Sequence, residues 1–131
     1  MADVVSTRPL IDKLGVRPGA RVALIDIDDA EFRRLLAERT HDITEGQPLP
    51  ASDLVFVGVD DGSGLLQLPF LRQRILPGGA IWVVSRKGRA AAVRDIEVIE
   101  AARAFGLVDN KVVSFSATHT SRRLVIPLAL R

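Results

Sequence analysis

Two short apolar runs dominate the pattern of hydrophobic and polar positions along the chain. The first, Ser52–Asp60, is rich in β-branched residues and is flanked by acidic ones. The second, Ala80–Ser85, follows after a helix-length interval and a Pro-Gly-Gly turn. Continuous apolar runs of this length are typical of strands buried on both faces of a parallel sheet. The pattern therefore predicts a β-α-β unit around which the rest of the chain is arranged.

Segments on both sides of this unit complete the predicted sheet and its helices. Further strands are predicted at Arg21–Asp26, His41–Glu45, Lys111–Ser116 and Arg123–Leu128. One helix is predicted at Pro9–Leu14, and a second begins after an N-cap at Asp28. A third has Pro69 in its first turn. The fourth covers Val93–Phe105, with Ile96, Ile99 and Phe105 facing the core. A short segment containing His119 separates the last two strands, so they are expected to pair as an antiparallel hairpin.

Composition fits one folded domain over residues 1–131. The apolar fraction is 47%, the charged fraction is 26%, and the chain has no cysteine, which excludes disulfides, thiolate nucleophiles and cysteine zinc sites. No apolar run is long enough to span a membrane, and the polar start Met1–Asp3 is not typical of a signal peptide. A cytoplasmic location without membrane contact is therefore expected.

Charge and aromatic content argue against a nucleic-acid partner. The formal net charge is only +2, and the aromatic residues are five Phe, one Trp and no Tyr. These aromatic residues fall on segments with a core pattern, which leaves few side chains for stacking on bases.

Polar residues follow three of the predicted strands, and the carboxyl ends of parallel strands meet at one edge of a sheet. These candidate site residues are Asp26, Asp28, Asp29, Asp60, Gly62, Ser63, Ser85 and Arg86. One interpretation is an acidic pocket for a divalent cation with a basic lip for a phosphate. The other, which we favour, is that these residues cap helices and shape turns, so no metal site and no catalytic residue is predicted.

The two histidines offer little chemistry in the sequence. A nucleophile–base pair of Ser121 and His119 can be drawn, but no oxyanion hole or nucleophile elbow lies nearby, so a polar turn is the preferred interpretation. His41 has no sequence partner. The leucine-rich segment Gly64–Leu71 has more apolar residues than one helix face needs, and it is a candidate dimer surface.

The order of these segments resembles S-adenosylmethionine-dependent methyltransferases. Leu76–Ser85 is similar to the step from a Leu-x-Pro-Gly-Gly turn into the fifth strand of that fold, and Asp53–Val57 is similar to its fourth strand. The final hairpin matches its sixth and seventh strands. The resemblance implies a shortened three-layer, Rossmann-like α/β fold with a mostly parallel sheet and a C-terminal antiparallel hairpin.

More narrowly, the chain resembles a family of small uncharacterised bacterial proteins with a shortened methyltransferase-like fold. The residues that carry this likeness are Lys13–Val22, the strand of Trp82, and Gly106–Val112. His119 stands where that pattern leads us to expect a tryptophan. The family comes with no established activity.

The departure from true methyltransferases lies after the first strand. Those enzymes place a glycine-rich loop there, so that backbone N–H groups approach the cofactor closely. Here the segment Asp26–Phe32 has no glycine, and β-branched Ile27 stands among three carboxylates. These side chains would crowd and repel the carboxylate of S-adenosylmethionine, so no cofactor is expected.

The sequence thus predicts a non-catalytic binding or assembly module, self-associated, most simply as a dimer. One alternative is a degenerate methyltransferase or another small-molecule enzyme that uses the crevice at the strand ends. A second is a phospho-receiver domain, with Asp60 as phosphoacceptor, Asp28 and Asp29 as magnesium ligands and Ser85 as the switch hydroxyl. The predicted C-terminal hairpin counts against the receiver.

Overall fold

The computed structural model describes residues 8–131, which form a six-stranded sheet with the strand order β2-β1-β3-β4-β6-β5. The strands are β1 (Val22–Ile25), β2 (Ile43–Glu45), β3 (Ser52–Gly58), β4 (Ile75–Arg86), β5 (Val108–Ser114) and β6 (His119–Val125). Strands β2, β1, β3 and β4 pair in parallel, and β6 pairs antiparallel with both β4 and β5. The predicted fold class, including the C-terminal hairpin, is confirmed.

Helices cover both faces of this sheet. They are α1 (Leu10–Lys13), α2 (Ala30–Arg39), α3 (Leu68–Arg72) and α4 (Asp95–Ala104), with 3-10 turns at Gly62–Gln67, Gly88–Ala90 and Leu128–Leu130. One core cluster contains residues of α1 and α2, and the other contains residues of α3, α4 and the first 3-10 turn. The alternation of side chains along each strand divides the sheet residues between these two clusters.

Strand β3 shows why the central run is apolar at successive positions. Leu54 and Phe56 belong to the cluster under α2, whereas Val55 and Val57 belong to the opposite cluster. All four side chains are buried. A strand that is covered on both faces has no solvent-facing side, which confirms the prediction made from Ser52–Asp60.

The Pro-Gly-Gly segment is part of a strand, which corrects the prediction that β4 begins at Ala80. Ile75 already pairs with Ser52, and Ala80 pairs with Leu54, so the segment between them forms a bulge. A Cβ added at Gly79 would lie 2.8 Å from the backbone oxygen of Asp53. The glycine therefore allows two strand backbones to approach closely.

Three local predictions also need correction. The N-cap of α2 is Asp29 rather than Asp28, since its side chain accepts a 2.9 Å hydrogen bond from the Phe32 N–H. In α4, Ile96 is 48% exposed, because the buried stripe of that helix is formed by other positions. His119 is the first residue of β6 and not a turn residue, because it pairs with Arg86 at the end of β4.

No helix within residues 8–131 has the length and apolar character needed to cross a membrane. The start of the chain at Met1–Asp3, for which the sequence predicts no signal peptide, lies outside the described residues.

Candidate functional site

A crevice opens at the carboxyl edge of the sheet, between the ends of β1 and β3, where the strand order reverses. Open α/β sheets bind ligands at such switch points. We call it the strand-end crevice; its volume is about 280 Å³, and its lining residues are Asp26, Ile27, Asp28, Asp29, Gly58, Val84, Phe115, Thr118 and His119. Val84, Phe115 and Ile27 also belong to the core cluster under α2, so the crevice opens directly onto the core on that face.

The turn after β1 closes the inner end of the crevice with backbone. Asp26 adopts the left-handed conformation, with φ of 56°. Its carbonyl oxygen faces Gly58 so closely that a Cβ at Gly58 would overlap it. The backbones of β1 and β3 therefore lie in close contact at this corner. Gly58 allows the contact because it has no Cβ, and the left-handed turn at Asp26 directs the carbonyl oxygen towards it.

Two of the three carboxylates of this turn are exposed at the crevice. The side chain of Asp29 is used to cap α2, and the buried side chain of Ile27 anchors the turn in the core. Asp26 and Asp28 are exposed and have no side-chain hydrogen bond or ion pair within residues 8–131. The lip of the crevice therefore carries two solvated negative charges, one of which, Asp28, is also attracted to the nearby guanidinium of Arg33; together they favour a cationic group.

An arginine closes the outer side of the same turn. Arg33 donates through Nε to the carbonyl oxygen of Ile27 at 2.7 Å and makes two bonds, of 2.6 and 2.8 Å, to the carboxylate of Glu45. Hydrogen bonds from Arg33 lower the pKa of Glu45 below its ordinary value. The carboxylate at the end of β2 is thus neutralised by the protein itself.

The opposite wall is formed by the β5–β6 hairpin. His119 is half-buried, and its Nδ1 lies 2.8 Å from the hydroxyl oxygen of Thr118. Its Nε2 has no hydrogen-bond partner within residues 8–131. Ser121 is fully buried and donates to the carbonyl oxygen of Val113 at 2.7 Å, so it cannot serve His119 as a nucleophile partner.

The other predicted site residues lie at the same edge but outside this crevice. Gly62 and Ser63 begin the 3-10 turn, whose Leu65 packs into the cluster on the opposite face, and Asp60 is exposed beside it. Ser85 is buried in β4. The predicted acidic pocket with a basic lip is therefore divided between the two faces of the sheet.

Arg86 lines a separate cavity of about 450 Å³, together with Lys87 and Arg94. The Lys87 ammonium already donates to Ser114 Oγ and to the Ser116 carbonyl. Within residues 8–131, no group of three or more His, Asp or Glu side chains is arranged to hold a metal ion.

Sequence reasoning missed the apolar lining of the crevice, namely Val84 and Phe115. The alternation of side chains along β4 could have revealed Val84, because Val84 lies on the same face of the sheet as Trp82 and Phe56. Phe115 depends on the register of the hairpin, whose two strands the sequence places two to four residues too far along the chain.

Solved methyltransferases share this architecture. An S-adenosylmethionine-dependent methyltransferase from Aquifex aeolicus has a TM-score of 0.63 at 12% identity, over 88% of this chain and 87% of that one. The 1,6-didemethyltoxoflavin-N1-methyltransferase from Burkholderia thailandensis, solved with S-adenosylhomocysteine, has a TM-score of 0.53 at 12% identity, over 88% and 73%. The pyocyanin biosynthetic protein PhzM has a TM-score of 0.64 at 12% identity; 88% of this chain is covered, but only 53% of PhzM.

At these identities the likeness shows the fold. The sequence matches no family model and no curated protein, so membership in the family of small bacterial proteins stays a prediction. The structural neighbours overturn the expectation of a non-catalytic binding or assembly module, because they are methyltransferases. They also favour the methyltransferase-like alternative over the phospho-receiver, whose sheet would not end in the antiparallel pair of β6 with β4 and β5.

Proposed function

We propose that this chain is a small-molecule enzyme on a degenerate methyltransferase fold and that its substrate occupies the strand-end crevice. The observation that carries the proposal is the position of the crevice at the switch point between β1 and β3 of a methyltransferase-like sheet. The fold places ligands at this edge, and the residues of the edge determine which ligand fits.

The lining favours a small cation with an apolar body. Asp26 and Asp28 supply two carboxylates at the lip, whereas Val84 and Phe115 supply an apolar wall. The volume of about 280 Å³ lies just below the range of about 300–1,000 Å³ for pockets that enclose drug-sized ligands. A compact organic amine satisfies both the charge and the volume.

S-adenosylmethionine, the cofactor that the fold implies, does not fit these residues. The turn that would receive its carboxylate carries three aspartates, and the Phe32 N–H at the start of α2 is already bonded to Asp29. Gly58 packs so tightly against the carbonyl oxygen of Asp26 that even a Cβ would overlap it, so the backbone at this corner leaves no room for the cofactor's carboxylate. No step of the proposed chemistry passes through this cofactor.

His119 is the residue we assign to proton transfer. An imidazole ring can accept and donate a proton through its two nitrogens, which suits a general base. The contact of Nδ1 with Thr118 orients the ring and leaves Nε2 available to a proton on the bound molecule. Asp26, Asp28 and His119 all line the crevice, so an ammonium bound by the two carboxylates would share that space with this nitrogen.

Binding is tested first with benzylammonium as the probe and neutral benzyl alcohol as its matched control, by calorimetric titration. We expect a Kd on the order of 1 mM for the amine and no saturable binding of the alcohol. The double variant Asp26→Asn and Asp28→Asn should weaken binding about tenfold, while Glu100→Gln on the exposed face of α4 should leave it unchanged. Saturable binding of S-adenosylmethionine in the same titration would contradict the cofactor-free account.

The enzymatic role is tested by incubating the protein with a bacterial small-molecule extract and following the mixture by mass spectrometry. Wild-type protein should deplete an amine-containing compound, and His119→Gln should not. An unchanged extract, or equal depletion by both proteins, would contradict the assignment of His119.

We also propose that residues 1–131 form a single domain in the cytoplasm, related to the small bacterial family that the sequence resembles, with neither nucleic-acid nor membrane partners. The agreement of Lys13–Val22 and Gly106–Val112 with that family's pattern supports the relationship. The low net charge of +2 supports the absence of a nucleic-acid partner.

A further inference from the structure

A second, larger cavity lies at the opposite edge of the sheet from the strand-end crevice. We call it the amino-edge cavity; its volume is about 570 Å³, and its lining residues are Gly15, Arg17, Pro18, Gly19, Ala20, Asp53, Leu54, Leu76, Gly78, Gly79 and Arg123. Its walls come from the loop before β1, the bulge of β4 and the middle of β6. None of the candidate site residues that the sequence singles out lies here.

Arg123 is the most informative of these lining residues. It is half-buried, and within residues 8–131 its guanidinium makes one hydrogen bond, a 3.3 Å contact from Nη1 to the amide oxygen of Asn110. Burial lowers the pKa of its guanidinium, and the neighbouring charge of Arg131 lowers it further. A desolvated cation without a carboxylate partner is costly unless an anion compensates it.

Arg17 brings a second guanidinium to the same cavity. It is exposed, and in the part of the chain that the structure describes no hydrogen bond or ion pair engages its guanidinium; its backbone carbonyl oxygen accepts the Ala20 N–H at 3.1 Å. Both arginines therefore retain their five N–H donors for a ligand, apart from the one weak contact of Arg123 with Asn110. Arginine pairs of this kind bind phosphate and carboxylate groups through parallel hydrogen bonds.

The rest of the wall leaves room for an anion and for an organic body. Cβ atoms added at Gly15, Gly19 and Gly78 would meet nothing within 4 Å, so their backbone is open to the cavity. The one carboxylate on the wall, Asp53, accepts the backbone N–H of Arg21 at 2.8 Å. The Leu54 and Leu76 side chains, together with Pro18, supply apolar surface.

We propose that the amino-edge cavity binds the oxyanion head group of a small organic molecule between Arg17 and Arg123. A bare inorganic ion would leave most of the 570 Å³ unfilled, whereas this volume lies within the range of about 300–1,000 Å³ typical of organic ligands. The site is separate from the strand-end crevice, so it stands or fails independently of the function proposed there.

The test is a calorimetric titration of the full chain with AMP, citrate and inorganic phosphate at matched ionic strength. AMP and citrate distinguish a phosphate from a carboxylate head group, and inorganic phosphate measures the head group alone. We expect an organic anion to bind at least tenfold more tightly than inorganic phosphate. Arg17→Gln and Arg123→Gln should each weaken binding about tenfold, and Arg103→Gln on the exposed face of α4 should not change it.

Because Arg123 is half-buried, Arg17→Gln keeps the test valid even where Arg123→Gln unfolds the chain. Amide chemical shifts of Gly15, Gly19 and Gly78 should move with the bound anion. Absence of binding by all three probes would overturn the proposal. So would binding that Arg103→Gln weakens as much as Arg17→Gln, or that depends instead on Arg86 and Arg94 at the carboxyl edge.

Discussion

The indole Nε1 of Trp82 donates a 3.1 Å hydrogen bond to the backbone carbonyl oxygen of Leu14, and both residues are fully buried. Sixty-eight positions of chain separate them. The bond fixes the end of α1 to the central strand β4, and it holds the loop that follows α1 at the rim of the amino-edge cavity. Trp82 also stacks in parallel with Phe56, with ring centroids 6.4 Å apart.

Trp82→Phe should lower the free energy of unfolding by about 2–4 kcal/mol, because the carbonyl of Leu14 loses its partner in a buried site and the smaller ring leaves a gap. Denaturant unfolding measures the change. Phe56→Leu, in the same layer, alters packing without removing a hydrogen bond and should cost less, about 1.5 kcal/mol. Equal losses in the two variants would show that the hydrogen bond contributes nothing.

Gly58→Ala should destabilise the chain by about 2–3 kcal/mol, since the new Cβ would overlap the carbonyl oxygen of Asp26 and force β1 and β3 apart. Gly78→Ala is the matched control, because a Cβ there meets nothing within 4 Å. Thermal unfolding of both variants checks the prediction. A Gly58→Ala protein as stable as Gly78→Ala would mean that the two strands do not approach as described.

The pKa of Glu45 is lowered by its hydrogen bonds with Arg33. A carboxylate whose folded-state pKa is depressed contributes stability above its unfolded pKa of about 4.3, and loses it as pH falls through the folded value. Arg33→Gln should therefore raise the pKa of Glu45 in an NMR titration. Glu97 is the control, because its pKa is lowered mainly by a hydrogen bond from the backbone N–H of Arg94 and should not change in the Arg33→Gln variant. Equal changes in the pKa of Glu45 and Glu97 would argue against a specific interaction between Arg33 and Glu45.

Self-association, expected from the leucine-rich segment Gly64–Leu71, stays a prediction. Leu65, Leu68 and Leu71 are buried against the sheet, but Leu66 is 71% exposed. We expect sedimentation to show a dimer that Leu66→Glu dissociates, because the new charge would be desolvated in the interface. Leu128→Glu, at a similarly exposed leucine outside this segment, should leave the dimer intact. A wild-type protein that sediments as a monomer would contradict the prediction.

The sequence was sufficient for the layout of the sheet because its strands are short apolar runs separated by clear turn residues. Local sequence features predict the buried strand in Ser52–Asp60, the C-terminal hairpin and the helix that begins near Pro69. The start of β4 could not be predicted from Pro77 and the glycines that follow it, because their strand conformation depends on the facing backbone of β3.

The candidate site was predicted only in part. Asp26 and Asp28 line the crevice as the strand-end rule predicts. Asp60, Ser63 and Arg86 follow their strands as expected. Asp60 and Ser63, however, belong to the opposite face of the sheet, and Arg86 lines a different cavity. The sequence after each strand does not show which face these residues take. The anion site at Arg17 and Arg123 depends on two loops and a strand that meet only after folding.

Amide chemical-shift mapping with benzylammonium is the decisive experiment for the strand-end crevice, because it reports where a small cation binds. We expect saturable shifts confined to Asp26–Asp29, Gly58 and the Thr118–His119 pair, and none with benzyl alcohol. Shifts that are absent, or that cluster away from this corner of the sheet, would contradict the claim that the strand-end crevice is the substrate site.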